Sequence, residues 1–197
     1  MKYDIILAGV GGQGVLSAAV IIVRGAITAG LQVRQSEVHG MAQRGGAVLS
    51  HLRLSGAPIP GDLVPLAEAD LILSMEPLEA LRYTPYLNEK SRVVCSLHPF
   101  INIPDYPPLE EILLRLKKLP GFLGVDDAGL AKQAGSLRAA NMVLAGAAAP
   151  FLPIPKEALL EAADWLSRDK GPETEGINRR AFLLGFEAAQ GGTKETT

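Results

Sequence analysis

The chain predicts an α/β fold: a Rossmann-like layered arrangement with a mostly parallel sheet and a helical C-terminal part. Three observations carry that expectation. The apolar run Ile5-Ile6-Leu7-Ala8 leads straight into the glycine loop Gly9-Val10-Gly11-Gly12-Gln13-Gly14 and then into a stretch rich in Ala, Val, Ile and Leu. That order reads as strand, turn and helix. Short apolar runs recur at residues 70–75, 93–96 and 122–125, as buried parallel strands require. From residue 126 onward the pattern is helical, which completes a layered fold.

Taken in order, residues 4–8 form the first strand. A helix over 12–29 follows, and Gly30 is a natural stop for it. Residues 31–35 give a second strand, and the segment 36–46, SEVHGMAQRGG, leaves its end as a polar loop. Residues 47–54 alternate Val48, Ser50, Leu52 and Leu54 against Leu49, His51 and Arg53, which predicts a half-exposed strand with His51 on the open face. A Pro/Gly turn at 55–61 leads to a short helix over 63–69. Pro77 suits the first turn of the next helix, which carries Leu78 and Leu81. Residues 97–108 hold Pro99, Pro104, Pro107 and Pro108 and are irregular. Residues 109–119 are amphipathic, with Ile112, Leu113, Leu116 and Leu119 on one face. Further helices are expected at 128–134, 137–149, 156–166 and, after a polar linker, 177–189. One domain over residues 1–190 and a frayed tail at 191–197 account for the chain.

Composition narrows the function. A chain of 197 residues can bury a sizeable core, and 48% hydrophobic with 5% aromatic residues makes that core aliphatic. A net charge of −2 without a basic block argues against nucleic acid as the partner. Cys95 is the sole cysteine, so no disulfide framework is possible, and an iron–sulfur cluster needs about four thiolates. Between Val94 and Ser96 it reads as buried and inert. His51 and His98 lack neighbours at ligand spacing, so no metal site is expected. Asp4 interrupts the N-terminal apolar run, and residues 15–23 fall short of the ~20 that cross a bilayer. A cytoplasmic location away from the membrane is the expectation.

Two segments could carry chemistry. Gly9, Gly11 and Gly14 match G-x-G-x-x-G between a strand and a helix, where backbone N–H groups and a positive helix end suit an anion. A tight turn that only lets helix and sheet pack fits equally. A dinucleotide would want an acidic residue ~20 positions on, and Glu37 lies nearest that place. Gly12 and Gln13 make the loop narrow and polar, which also suits a partner contact. In the second segment Glu37, His39, Gln43 and Arg44 precede Gly45-Gly46. They set an acid, a switchable base and a fixed cation close together. A Glu37–Arg44 pair that merely shapes the loop fits the spacing as well.

GxGGQG after the first strand and SEVHGMAQRGG after the second resemble the gamma-type domain of the 2-oxoacid:ferredoxin oxidoreductases. Within that family they resemble the small (beta) subunit of the indolepyruvate enzymes. Val125-Asp126, RAANMVLAG at 138–146 and NRRAFLLG at 178–185 extend the likeness over nearly the whole chain. The resemblance implies oxidative decarboxylation of an aryl 2-oxoacid to an acyl-CoA with reduction of ferredoxin. It implies thiamine diphosphate and 4Fe-4S clusters on a large (alpha) partner subunit, none of them on this chain, and CoA as co-substrate. Gly61-Asp62 is followed by Leu63, so the thiamine signature is missing here. The implied role is a non-catalytic subunit, inactive alone. Its ligand- or partner-binding residues are Gly9, Gly11, Gly12, Gln13, Gly14, Glu37, His39, Gln43, Arg44, Gly45 and Gly46. A free-standing NAD(P)- or FAD-binding oxidoreductase and a purely structural assembly subunit stay open as alternatives. The small-residue, apolar helices are also compatible with a homodimer of the isolated chain.

Overall fold

The first apolar run becomes β1 (Lys2–Val10), the centre of one sheet. The other strands are β2 (Gln32–His39), β3 (Ala47–Ser55), β4 (Ala69–Ser74), β5 (Leu87–Ser96) and β6 (Phe122–Val125). The computed structural model describes residues 1–39, 45–101 and 103–192, with backbone only for His39 and Gly192. The strand order is β2-β3-β1-β4-β5-β6. β1 pairs parallel with β4, β4 with β5 and β5 with β6. β3 lies antiparallel between β1 and β2, so it alone runs against the other five. The sheet is therefore mostly parallel, as the buried apolar runs require.

Helices cover both faces. They are α1 (Val15–Thr28), α2 (Pro77–Arg82), α3 (Leu109–Leu116), α4 (Asp127–Ala134), α5 (Ala140–Ala148), α6 (Lys156–Ser167) and α7 (Pro172–Gly192). On one face Ile22, Val143, Leu159 and Phe182 pack on Ile5, Leu7, Leu52 and Leu71. On the other, Ala80, Ile112 and Leu116 meet Ile6, Ile72 and Val93. Because β1, β4, β5 and β6 run the same way, their carboxyl ends gather at one edge of the sheet. Open α/β sheets bind ligands at that edge.

Four expectations need correction. Residues 63–69 are not helical before β4 begins. Pro65 sits in this stretch, Arg53 Nη1 donates to the carbonyls of Gly61 and Leu63, and Val64 is buried against the sheet. The segment is a strap rather than a helix. That strap also explains His51, which is 4% exposed instead of facing solvent. Its Nδ1 accepts from the Val64 N–H at 3.2 Å, and its ring meets Tyr86 edge-on. β2 does not end at Gln35, because Ser36, Glu37, Val38 and His39 stay in register with His51, Ser50, Leu49 and Val48. α7 begins at Pro172, so the expected polar linker is its first turn, where proline is well placed.

Burial lowers the pKa of His51, since the imidazolium loses hydration. An unfolded histidine titrates near 6.5, so below that pH the unfolded chain binds more protons than the folded one. Stability held above pH ~6.5 should be lost as the pH falls. The loss should show between about pH 6.5 and 5.5, where the unfolded histidine takes up its proton. Denaturant midpoints for the wild type and His51→Gln check it. The wild type should lose more over that interval than the variant, and parallel pH profiles would remove His51 as the cause.

Candidate functional site

The two glycine-bearing segments come together at the carboxyl edge. Gly11 N–H donates to the Gly46 carbonyl at 2.9 Å, and Gly45 N–H reaches the Gly11 carbonyl at 3.4 Å. The contact continues the β1–β3 pairing beyond Val10 and Ala47. Gly14 caps α1 at φ 85°, a left-handed conformation that disfavours a side chain. A Cβ there would also meet Asn141 Nδ2 at 2.5 Å. A Cβ at Gly9 would lie 2.7 Å from Val15 Cγ2. Gln13 folds back: Oε1 accepts from the Val10 N–H at 2.8 Å, and Nε2 donates to the Met75 carbonyl at 3.1 Å. Its carboxamide locks the loop onto β1 and the end of β4. Gln13 N–H is spent on the Val10 carbonyl, and the first turn of α1 has no side-chain cap.

The second segment is less of a loop than its composition suggests. Glu37 stands in β2 and accepts from Gln35 Nε2, which also donates to Ser50 Oγ at 3.3 Å. His39 ends the strand opposite Val48. Gln43 and Arg44 lie outside the described residues, so the expected cluster is described only in part. β3 separates β2 from β1, which puts Glu37 two strands from the glycine loop. A dinucleotide site wants its acidic residue on the strand beside the loop.

The same edge holds side chains that the motifs did not single out. A cavity of about 160 Å³ is lined by Gly12, Gln13, Met75, Asp127, Arg138 and Asn141 among others. A second, of about 300 Å³, shares Arg138 and Asn141 and adds Lys170, Thr174 and Asn178. Together they make a furrow from the glycine loop to the start of α7. Arg138 and Lys170 are exposed, and among the described residues neither has a carboxylate partner. Asn178 Nδ2 donates to Ser167 Oγ at 2.7 Å, which fixes its carboxamide. A furrow with two unpaired cations at a glycine loop suits an extended anion. The sequence signal for these residues is position: Asp127 follows the end of β6, and Arg138 precedes α5.

Cys95 is fully buried, and burial pushes its thiol pKa well up, so it is no nucleophile. Among the described residues no group of three His, Cys, Asp or Glu side chains is placed to hold a metal ion. Among them, too, no helix is long and apolar enough to cross a membrane.

The model of the pyruvate ferredoxin/flavodoxin oxidoreductase family matches residues 4–188. The chain belongs to that family. Indolepyruvate oxidoreductase subunit IorB of Methanothermobacter thermautotrophicus is 40% identical, over 96% of this chain and 98% of the relative. The subunit of the same name from Thermococcus kodakarensis is 38% identical, over 96% of each. Among solved structures, the gamma subunit of a keto/oxoacid ferredoxin oxidoreductase from Geobacter sulfurreducens PCA matches with a TM-score of 0.68 at 27% identity. The match covers 96% of this chain and 99% of that one. A 2-oxoglutarate:ferredoxin oxidoreductase from Magnetococcus marinus, solved with 2-oxoglutarate, coenzyme A and succinyl-CoA bound, shares the fold with a TM-score of 0.77 at 22% identity. There the match spans 96% of this chain but 31% of the longer one.

Proposed function

We propose that this chain is the small subunit of an indolepyruvate, or other aryl 2-oxoacid, ferredoxin oxidoreductase, and that its furrow holds the phosphates of CoA. Oxidative decarboxylation to the acyl-CoA then belongs to a large subunit with thiamine diphosphate and iron–sulfur clusters, which passes electrons to ferredoxin. The chain's own donor set does not fit such a cluster, because its one thiol is buried in the sheet. A lone buried thiol also suits a reducing, cytoplasmic compartment.

The observation that carries the ligand part is the pair of unpaired cations, Arg138 and Lys170, on a furrow that starts at Gly12. A guanidinium offers a planar fork to phosphate oxygens, and the ammonium adds a point charge. Arg44, from the segment that ends at the paired Gly45-Gly46, is proposed as a third cation for the same anion or for an acidic surface of the large subunit. The likeness to the IorB subunits over nearly their full length supports the substrate class.

Reconstitution tests the assignment. The isolated chain should be colourless and inactive toward indolepyruvate with ferredoxin, and adding the large subunit should restore CoA-dependent turnover. Turnover by this chain alone, with thiamine diphosphate and iron supplied, would contradict it.

A further inference from the structure

The smaller cavity, of about 160 Å³, contains a negative charge that an anion-binding furrow does not need. Asp127 is 7% exposed and lines that cavity beside Arg138. Its carboxylate is held from behind. Oδ1 accepts from Ser96 Oγ at 2.6 Å and faces His98 Nδ1 at 3.0 Å. His98 is steadied in turn, with Nε2 3.5 Å from Asp126 Oδ1, and that oxygen accepts from the Gly129 N–H at 2.8 Å to cap α4. Asp127 Oδ2 has no hydrogen-bond partner among the described residues, and it is not one of the atoms sealed inside the protein. One oxygen is therefore fixed and the other is left for whatever enters the cavity.

A buried carboxylate repels a phosphate at close range. It is a strong acceptor for a neutral donor, since a hydrogen bond to a charged group is roughly twice as strong as one between neutral groups. The furrow thus carries two kinds of group, with Arg138 bordering both cavities, Lys170 the larger one, and the Asp127 acceptor the smaller one. We propose that Asp127 is a specificity-determining acceptor that takes a neutral N–H group of the bound co-substrate, while Arg138 and Lys170 take its phosphates. This rests on the reading of the furrow as a CoA site. Ser96 and His98 are positioning residues that act through Asp127. CoA offers N–H donors of two origins, the amides of its pantetheine arm and the amino group of its adenine.

The test uses the complex assembled with the large subunit and four probes: CoA, 4′-phosphopantetheine, adenosine 3′,5′-bisphosphate and inorganic pyrophosphate. Asp127→Asn keeps the volume but presents a donor or a weaker acceptor. It should weaken CoA about tenfold and weaken one organic fragment similarly. Loss on phosphopantetheine assigns an arm amide, and loss on the bisphosphate assigns the adenine amine. Pyrophosphate binding should not weaken in Asp127→Asn and should weaken in Arg138→Ala. If Asp127→Asn does not assemble, His98 carries the test. His98→Ala should lose CoA affinity in the same direction, and His98→Asn, which can still donate to Asp127, should retain more. CoA and both fragments binding Asp127→Asn as tightly as the wild type would overturn the proposal and leave the furrow in place, provided Arg138→Ala still weakens CoA. No binding of any probe by the wild-type complex would overturn the furrow itself.

Discussion

Gly185→Ala should destabilise the protein by about 3 kcal/mol, although alanine is the better helix former. α5 and α7 cross with their backbones in contact. A Cβ on Gly185 would lie 1.9 Å from the Val143 carbonyl oxygen, and one on Gly146 would lie 1.9 Å from that of Phe182. Backbone oxygens in packed helices cannot rotate aside as a flexible side chain can. The helices must separate, and Phe182, Ala181 and Val143, all fully buried, lose close packing. If the crossing were looser, the substitution would stabilise by up to ~1 kcal/mol through helix propensity. The sign of the effect therefore decides. Thermal melts should show a drop of about 6–12 °C, and Gly146→Ala should behave alike. The double variant should cost less than the sum, since one separation serves both. A neutral or raised melting temperature would show that α5 and α7 tolerate a wider spacing.

Arg53→Met should cost about 3–5 kcal/mol, the range for leaving one member of a buried ion pair uncompensated. Asp4 is fully buried and Arg53 8% exposed. Arg53 Nε and Nη2 donate to Asp4 Oδ1 and Oδ2 at 2.9 and 3.2 Å, a two-point contact. The substitution also orphans the Gly61 and Leu63 carbonyls of the strap. Lys2, 3.1 Å from Asp4, offsets little because it is half exposed. Removing both charges in Asp4→Leu/Arg53→Met should recover part of the loss. The strap carbonyls remain unpaired, so recovery should be incomplete. Urea titrations of the two singles and the double separate these contributions. A loss below about 1 kcal/mol in Arg53→Met would show that solvent reaches the pair.

The parallel strands β1, β4 and β5 were legible because their runs at 5–8, 71–73 and 93–95 are apolar and buried on both faces, and the first helix because glycines bracket it. The strap over residues 63–68 was not legible. It is held by Arg53 and His51 of β3, the strand just before it, through hydrogen bonds that local propensity over 63–69 does not show. His51 was misread for the same reason, since alternation reports a half-buried strand only where nothing covers the second face. The glycine loop was found where it stands, but Gln13 faces inward and spends its carboxamide on backbone. Glu37 lies in a strand because β3 pairs with it, a contact that composition does not show. Asp127, Arg138 and Lys170 come from three separate segments that only the parallel sheet and its helices bring to one edge.

The most direct measurement of the central claim is the CoA saturation curve of the reconstituted complex carrying Arg138→Ala. Arg138 borders both cavities and has no carboxylate partner among the described residues. Its loss should leave the melting temperature unchanged. KM for CoA should rise at least about tenfold, roughly 1.4 kcal/mol, with kcat and KM for the 2-oxoacid close to wild type. An unchanged KM for CoA in a folded, assembled complex would contradict the account.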